Sequence, residues 1–183
     1  MFEKTMLGVS LVCLGTFSGC VTAESYPNKM GQMTTSNPGM NNTNHQAVDW
    51  TQYVNPMKNG CDYLKIEHLS PEHKQSIVKF STKGDPEFQK ADSYVETYIL
   101  NNAVAFNQPL TKIEVEHGYE WGNSELTFAN NKFMSLRPEF KMPKLDSETS
   151  FISNDATGYK VETPIGEKGL EFDAKAKTIK CYY

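Results

Sequence analysis

The stretch Lys112–Trp121 reads KIEVEHGYEW. Every second residue gives Ile113, Val115, His117, Tyr119 and Trp121 in one set, and Glu114, Glu116, Gly118 and Glu120 in the other. Successive side chains leave a strand on opposite faces, so this alternation reads as a half-buried β-strand. The first set faces a core and the second faces water. Working outward, Gly122-Asn123 suits a two-residue hairpin turn with glycine at its first central position, and SELTFA (124–129) runs back. That turn pairs Trp121 with Ser124, Tyr119 with Leu126 and His117 with Phe128. Asn130-Asn131 tolerates left-handed backbone and makes a second turn. KFMSL (132–136) then forms a third strand, with Phe133 beside Phe128, and Arg137-Pro138 ends the meander.

The rest of the chain extends the same theme. GLEFD and TIKCYY flank AKAK near the end. Pairing Asp173 with Thr178 sets Phe172 against Ile179, Glu171 against Lys180 and Leu170 against Cys181, apolar on apolar and charge on countercharge. GYKVET (158–163) reads as one more strand, followed by the turn-like PIGEKG. Ser70 is a helix cap with Pro71 at the first helical position, which predicts one or two turns. SIVKFST then reads as strand. Asp85-Pro86-Glu87 predicts a short helix from Pro86, giving way to a strand at about Tyr94–Leu100. MPKLDSETSFISNDATG reads as loop. The expected fold is mainly β: one domain over 48–183, an antiparallel sheet with one or two short helices.

The first 19 residues read as an export signal, since Met6–Phe17 is an apolar run too short to span a bilayer. The stretch FSGC (17–20) resembles the lipobox of bacterial lipoproteins, in which the cysteine is lipidated after cleavage. The resemblance implies a lipid on Cys20 and, with no Asp behind it, an outer-membrane address. Phe17 departs from the usual leucine. Val21–Ala23 also fits ordinary cleavage after Ala23, which would leave a soluble protein. Residues 20–47 are rich in Asn, Thr, Met, Gly and Pro and read as a disordered tether. Cys61 and Cys181 remain for the folded part. In an oxidising compartment they are expected to pair and close a loop of about 120 residues.

Composition excludes some functions. The formal charge is −4, and Arg137 is the only arginine among 18 basic residues. Arginine is the preferred bidentate reader of phosphate and guanine, so nucleic acid is not an expected partner. No cofactor or metal is expected, because close-spaced ligand pairs are missing. His68 and His73 stand five apart, the wrong spacing for one helical face. Ser76–Lys79 matches S-x-x-K without the K-T-G that its chemistry requires. His117, on the apolar face, reads as a packed histidine. Glu114, Glu116, Glu120 and Glu125 share a face, with Glu120 opposite Glu125 and Lys132 close enough to relieve Glu116. That row reads first as a wet face and second as a protein-docking surface. No catalytic residue is assigned. The expected function is a non-enzymatic envelope lipoprotein binding a protein or a surface polymer. A periplasmic inhibitor or immunity protein, in the manner of lysozyme inhibitors, is the alternative, with a small hydrolase third.

Overall fold

The computed structural model describes residues 46–183. The export segment, Cys20 and nearly all of the expected tether lie outside the described residues.

The described residues form a mainly β structure built on a nine-stranded sheet. Strand β1 (Val48–Asp49) leads into helix α1 (Thr51–Val54) and a 3-10 turn at Asn55–Lys58. After an irregular strap, 59–70, come helix α2 (Pro71–Ser76) and edge strand β2 (Ile77–Gly84). Strands β3 (Ser93–Ala105), β4 (Gln108–Gly118) and β5 (Gly122–Phe128) follow as a meander. A 3-10 segment at Asn131–Glu139 precedes β6 (Ser150–Asp155), β7 (Gly158–Thr163), β8 (Gly166–Asp173) and β9 (Thr178–Tyr182). The spatial order is β1-β3-β4-β5-β9-β8-β7-β6, with β2 pairing β3 beyond β1. Only β1 runs parallel to its neighbour.

Several expectations hold residue by residue. Ser70 caps α2 by accepting from the His73 amide, with Pro71 at the start. The β8–β9 register is Asp173 with Thr178, Phe172 with Ile179, Glu171 with Lys180 and Leu170 with Cys181. The disulfide joins Cys61 to Cys181, both fully buried, with Cα atoms 5.3 Å apart. It ties the strap to the middle of the sheet.

Others are corrected. The β4–β5 hairpin turns at Tyr119-Glu120, not at Gly122-Asn123: the Gly118 amide donates to the Trp121 carbonyl at 2.8 Å, and His117 pairs with Gly122. This register puts Ile113 opposite Leu126, Val115 opposite Ser124 and Leu110 opposite Phe128, all buried. The turn moves by an even number of residues in register, so each side chain keeps its face. Tyr119 and Trp121 leave the core, because they now lie in or beside the turn. KFMSL is not a strand. Asn130 accepts from the Lys132 amide and starts the 3-10 segment, while β9 takes the place beside β5. Phe133 still reaches Phe128, at 4.9 Å and 11° between rings, by lying across the sheet rather than within it. No helix forms from Pro86; Asp85 folds that segment into a turn instead. The stretch read as loop after Met142 contains β6, an exposed edge strand whose residues give no clean alternation.

Burial has an alkaline consequence. Tyr98, Tyr159 and Tyr183 are packed so that burial pushes each phenol up, Tyr183 to about 12. The folded state thus holds these protons more tightly than the unfolded chain, where tyrosine titrates near about 10. Their contribution is fully present below that value and is lost as pH rises through the folded values. The urea midpoint is expected to fall above about pH 10, together with the phenolate absorbance rise. An unchanged midpoint while the phenols ionise would contradict it.

Candidate functional site

The acidic row is largely neutralised inside the sheet. Glu114 pairs with Glu125 across β4 and β5, and Lys112 forms ion pairs with both, at 3.4 Å from Glu125. Lys180 stands opposite Glu125 on one side and Glu171 on the other. Glu116 accepts from Asn123 Nδ2 at 2.7 Å and from Ser93 Oγ at 3.4 Å. Glu120 is separated from Glu125: it occupies the turn and is exposed. Lys132 sits on the 3-10 segment and not beside Glu116; the lysine within the row is Lys112, which relieves Glu114 and Glu125 rather than Glu116. Glu114, Glu116 and Glu125 therefore share one face of the sheet, while Glu120 stands apart from them in the turn. Glu116 and Glu120 lie toward the hairpin end of β4, and Glu114 and Glu125 are held in mid-sheet.

On the opposite face of β4, His117 is buried and bonded through both ring nitrogens. Nε2 lies 3.2 Å from Glu96 Oε2 and Nδ1 lies 2.6 Å from the Tyr63 hydroxyl. A carboxylate facing Nε2 places the proton there, so Nδ1 accepts from the Tyr63 hydroxyl. The Tyr98 hydroxyl also donates to Glu96, at 3.3 Å. The Tyr94 ring stacks on the imidazole at 4.4 Å and 18°. Burial, with Tyr94 and the Glu96 carboxylate nearby, pushes the Tyr63 phenol up, so it is kept neutral rather than activated as a nucleophile. This chain of groups works as a latch that holds the strap against the sheet. Sequence reading identified His117 as a packed histidine, but not its partners, which come from 54 and 21 residues away.

Around this latch the rings continue to the surface. Tyr63 meets Tyr183 edge-on at 5.7 Å, Tyr94 meets Phe88 at 5.7 Å, and Phe88 meets Tyr119 at 6.5 Å. Two glycines make room: a β-carbon on Gly118 would sit 2.4 Å from the Trp121 indole, and one on Gly122 would sit 2.6 Å from the Tyr183 ring. The outermost rings stand in water. Tyr119 is 83% exposed, Tyr63 48%, Trp121 45% and Phe88 38%. Phe88 is held there against its own backbone preference, with φ of 54°. Left-handed backbone costs a non-glycine residue roughly 1 kcal/mol or more. The loop that imposes it is built on Asp85, whose carboxylate accepts from the amides of Glu87, Gln89 and Lys90 at 3.0, 2.7 and 2.6 Å. Those amides hold the Asp85 carboxyl below its ordinary value. Three separate segments thus converge on one aromatic end: the strap, the Asp85 loop and the β4–β5 turn.

The remaining sequence candidates are occupied structurally. Ser76 of S-x-x-K donates to the His73 carbonyl and accepts from the Trp50 indole. His73 uses Nδ1 on Ser70 and Nε2 on the Asp49 carbonyl, at 2.7 and 3.0 Å. An open groove of about 680 Å³ runs beside it, lined by polar side chains including Gln46, Asp49, Glu72 and Gln75. Among the described residues no three His, Cys, Asp or Glu side chains converge as a metal's ligand set, and no helix is long and apolar enough to cross a membrane. No protein-family model matches the chain, and neither a curated protein nor a solved structure matches it.

Proposed function

We propose that the folded domain is a non-enzymatic binding module held at the cell envelope, and that its aromatic end is the recognition surface. The observation that carries this reading is the display of Tyr119, Trp121, Phe88 and Tyr63 in water, with Phe88 held in a costly backbone conformation. Large exposed rings gathered in one place mark interaction sites more often than stray exposure does. Tyrosine and tryptophan supply broad contact area with little conformational entropy to lose. The anchoring half of the reading rests on the sequence alone: the lipobox-like FSGC assigns the lipid to Cys20, with the following residues as a leash to an outer-membrane lipoprotein.

The test is photo-crosslinking in intact cells. A benzoylphenylalanine in place of Tyr119 is expected to give a discrete adduct. The same residue in place of Phe151, exposed on the far edge strand β6, is expected to give none. Adducts from position 151 alone, or equal adducts from both, would overturn the assignment. Cys20→Ser is expected to move the adduct-forming protein from the membrane to the soluble fraction; retention on the membrane would remove the anchor from the reading.

One observation favours a second reading, a hydrolase: the carboxylate–imidazole–phenol chain Glu96–His117–Tyr63. The neutral, up-shifted phenol of Tyr63 speaks for the latch instead. If Tyr63→Phe abolished a measured hydrolytic activity while leaving the fold intact, the enzyme reading would replace the binding module.

A further inference from the structure

We infer that the partner seated on the aromatic end is a protein surface carrying arginine and lysine side chains. The inference rests on the binding-module reading and adds the chemistry of what is bound.

Charge is the first observation. The segments that build this end, residues 62–67, 85–94 and 118–121, hold six carboxylates (Asp62, Glu67, Asp85, Glu87, Asp92, Glu120) against three lysines, Lys65 and Lys90 of the same segments and Lys168, which ion-pairs with Asp62 at 3.9 Å, a net of −3. The whole chain is −4. The remainder is therefore −1, so most of the net acidity of the protein belongs to the end where the rings are displayed. A field of one sign at a contact surface steers an oppositely charged partner and rejects a like-charged one.

The second observation concerns the rings themselves. Elsewhere the fold covers aromatic faces with its own cations. Lys58 Nζ stands 4.3 Å from the Phe106 centroid, the Arg137 guanidinium 5.9 Å from Tyr159 and Lys160 Nζ 5.9 Å from Tyr182. Among the described residues no lysine or arginine is so placed over Tyr63, Phe88, Tyr94, Tyr119 or Trp121. Yet carboxylates that would hold a cation near those rings are in surplus. A cation over a ring face is attracted by the ring quadrupole, and arginine more often fills that role because its planar head also stacks. Asp62 and Glu67 already have lysine partners, Lys168 and Lys65, and the carboxylates left over, beside rings that carry no cation of their own, fit a cation supplied from outside. A neutral glycan would use the rings but gain nothing from the carboxylate surplus.

The test uses the full chain in detergent, with hexa-arginine, hexa-lysine and a neutral chitin hexamer as probes. Trp50 is fully buried and Trp121 is half exposed, so the fluorescence change on binding reports Trp121. Hexa-arginine is expected to perturb Trp121 and to bind more tightly than hexa-lysine. Its affinity should fall as salt is raised, because exposed charges are screened. Tyr119→Ser should weaken it about fivefold, the worth of one exposed cation–π contact, and Glu120→Gln should flatten the salt dependence. A response to the chitin hexamer without one to hexa-arginine would overturn the cationic partner and leave the binding module standing. Arginine binding unaffected by Tyr119→Ser would also overturn it, placing the contact elsewhere on the acidic surface. No response to any probe, together with no adduct from position 119, would remove both readings.

Discussion

Replacing Cys61 and Cys181 together by alanine is expected to lower the unfolding free energy by about 5 kcal/mol. The bridge spans 120 residues, and in the chain-entropy picture a loop of that size removes a large share of the unfolded chain's freedom. It also has a local role. Cys61 lies in the strap, two residues before Tyr63, and Cys181 lies on β9 between β5 and β8. Losing the bond frees the strap to leave His117. Urea unfolding of the double variant measures the loss, and a drop under about 1 kcal/mol would show that the strap is held by packing and the latch alone.

Phe133→Ala is expected to cost about 3–5 kcal/mol. Phe133 is fully buried and plugs the sheet from the 3-10 segment. It stacks on Phe128 at 4.9 Å and on Phe172 at 6.0 Å, so it joins β5 to β8 across β9. Phe172 in turn meets Phe140 edge-on at 5.2 Å. Removing the middle ring leaves a cavity between faces that cannot close without moving strands fixed by their ladders. The same urea series reads it. A cost near that of a surface substitution, within about 0.5 kcal/mol, would mean that the segment is not part of the core.

The parts of this fold that can be read in the sequence are those decided locally. The β8–β9 register follows from charge and apolar matching over a few residues around Asp173 and Thr178. The α2 start follows from Ser70 and Pro71. The parts that cannot be read are decided by distant partners. KFMSL has strand composition, but β9 (Thr178–Tyr182) arrives from more than 40 residues further on and occupies the side of β5 away from β4. The turn between β3 and β4 uses Phe106 and Asn107, both with positive φ. Phe106 gives no turn signal: its conformation is stabilised by Thr51 Oγ1, which accepts from its amide at 2.7 Å, and by burial against Phe140. The candidate site shows the same division. The alternation in KIEVEHGYEW assigns His117 to the core and Glu116 to the other face. It also assigns Tyr119 and Trp121 to the core, because period alone does not say where a strand ends. The signal available was the pair Gly118 and Gly122, one on each side of the turn, each leaving room for a ring. Phe88 had no signal at all, since its display depends on the Asp85 amide contacts.

Recognition by the aromatic end is tested most directly by separating it from folding. The full chain carries Tyr119→Ser and a photo-crosslinking phenylalanine at position 88, and two quantities are read: unfolding free energy and adduct yield in cells. Tyr119 is nearly free of packing, so its replacement should change stability by no more than about 0.5 kcal/mol, while the adduct seen from position 88 in the parent disappears. Stability falling by about 2 kcal/mol or more, a loss characteristic of core packing, with the adduct retained, would contradict the assignment and make these rings part of the scaffold.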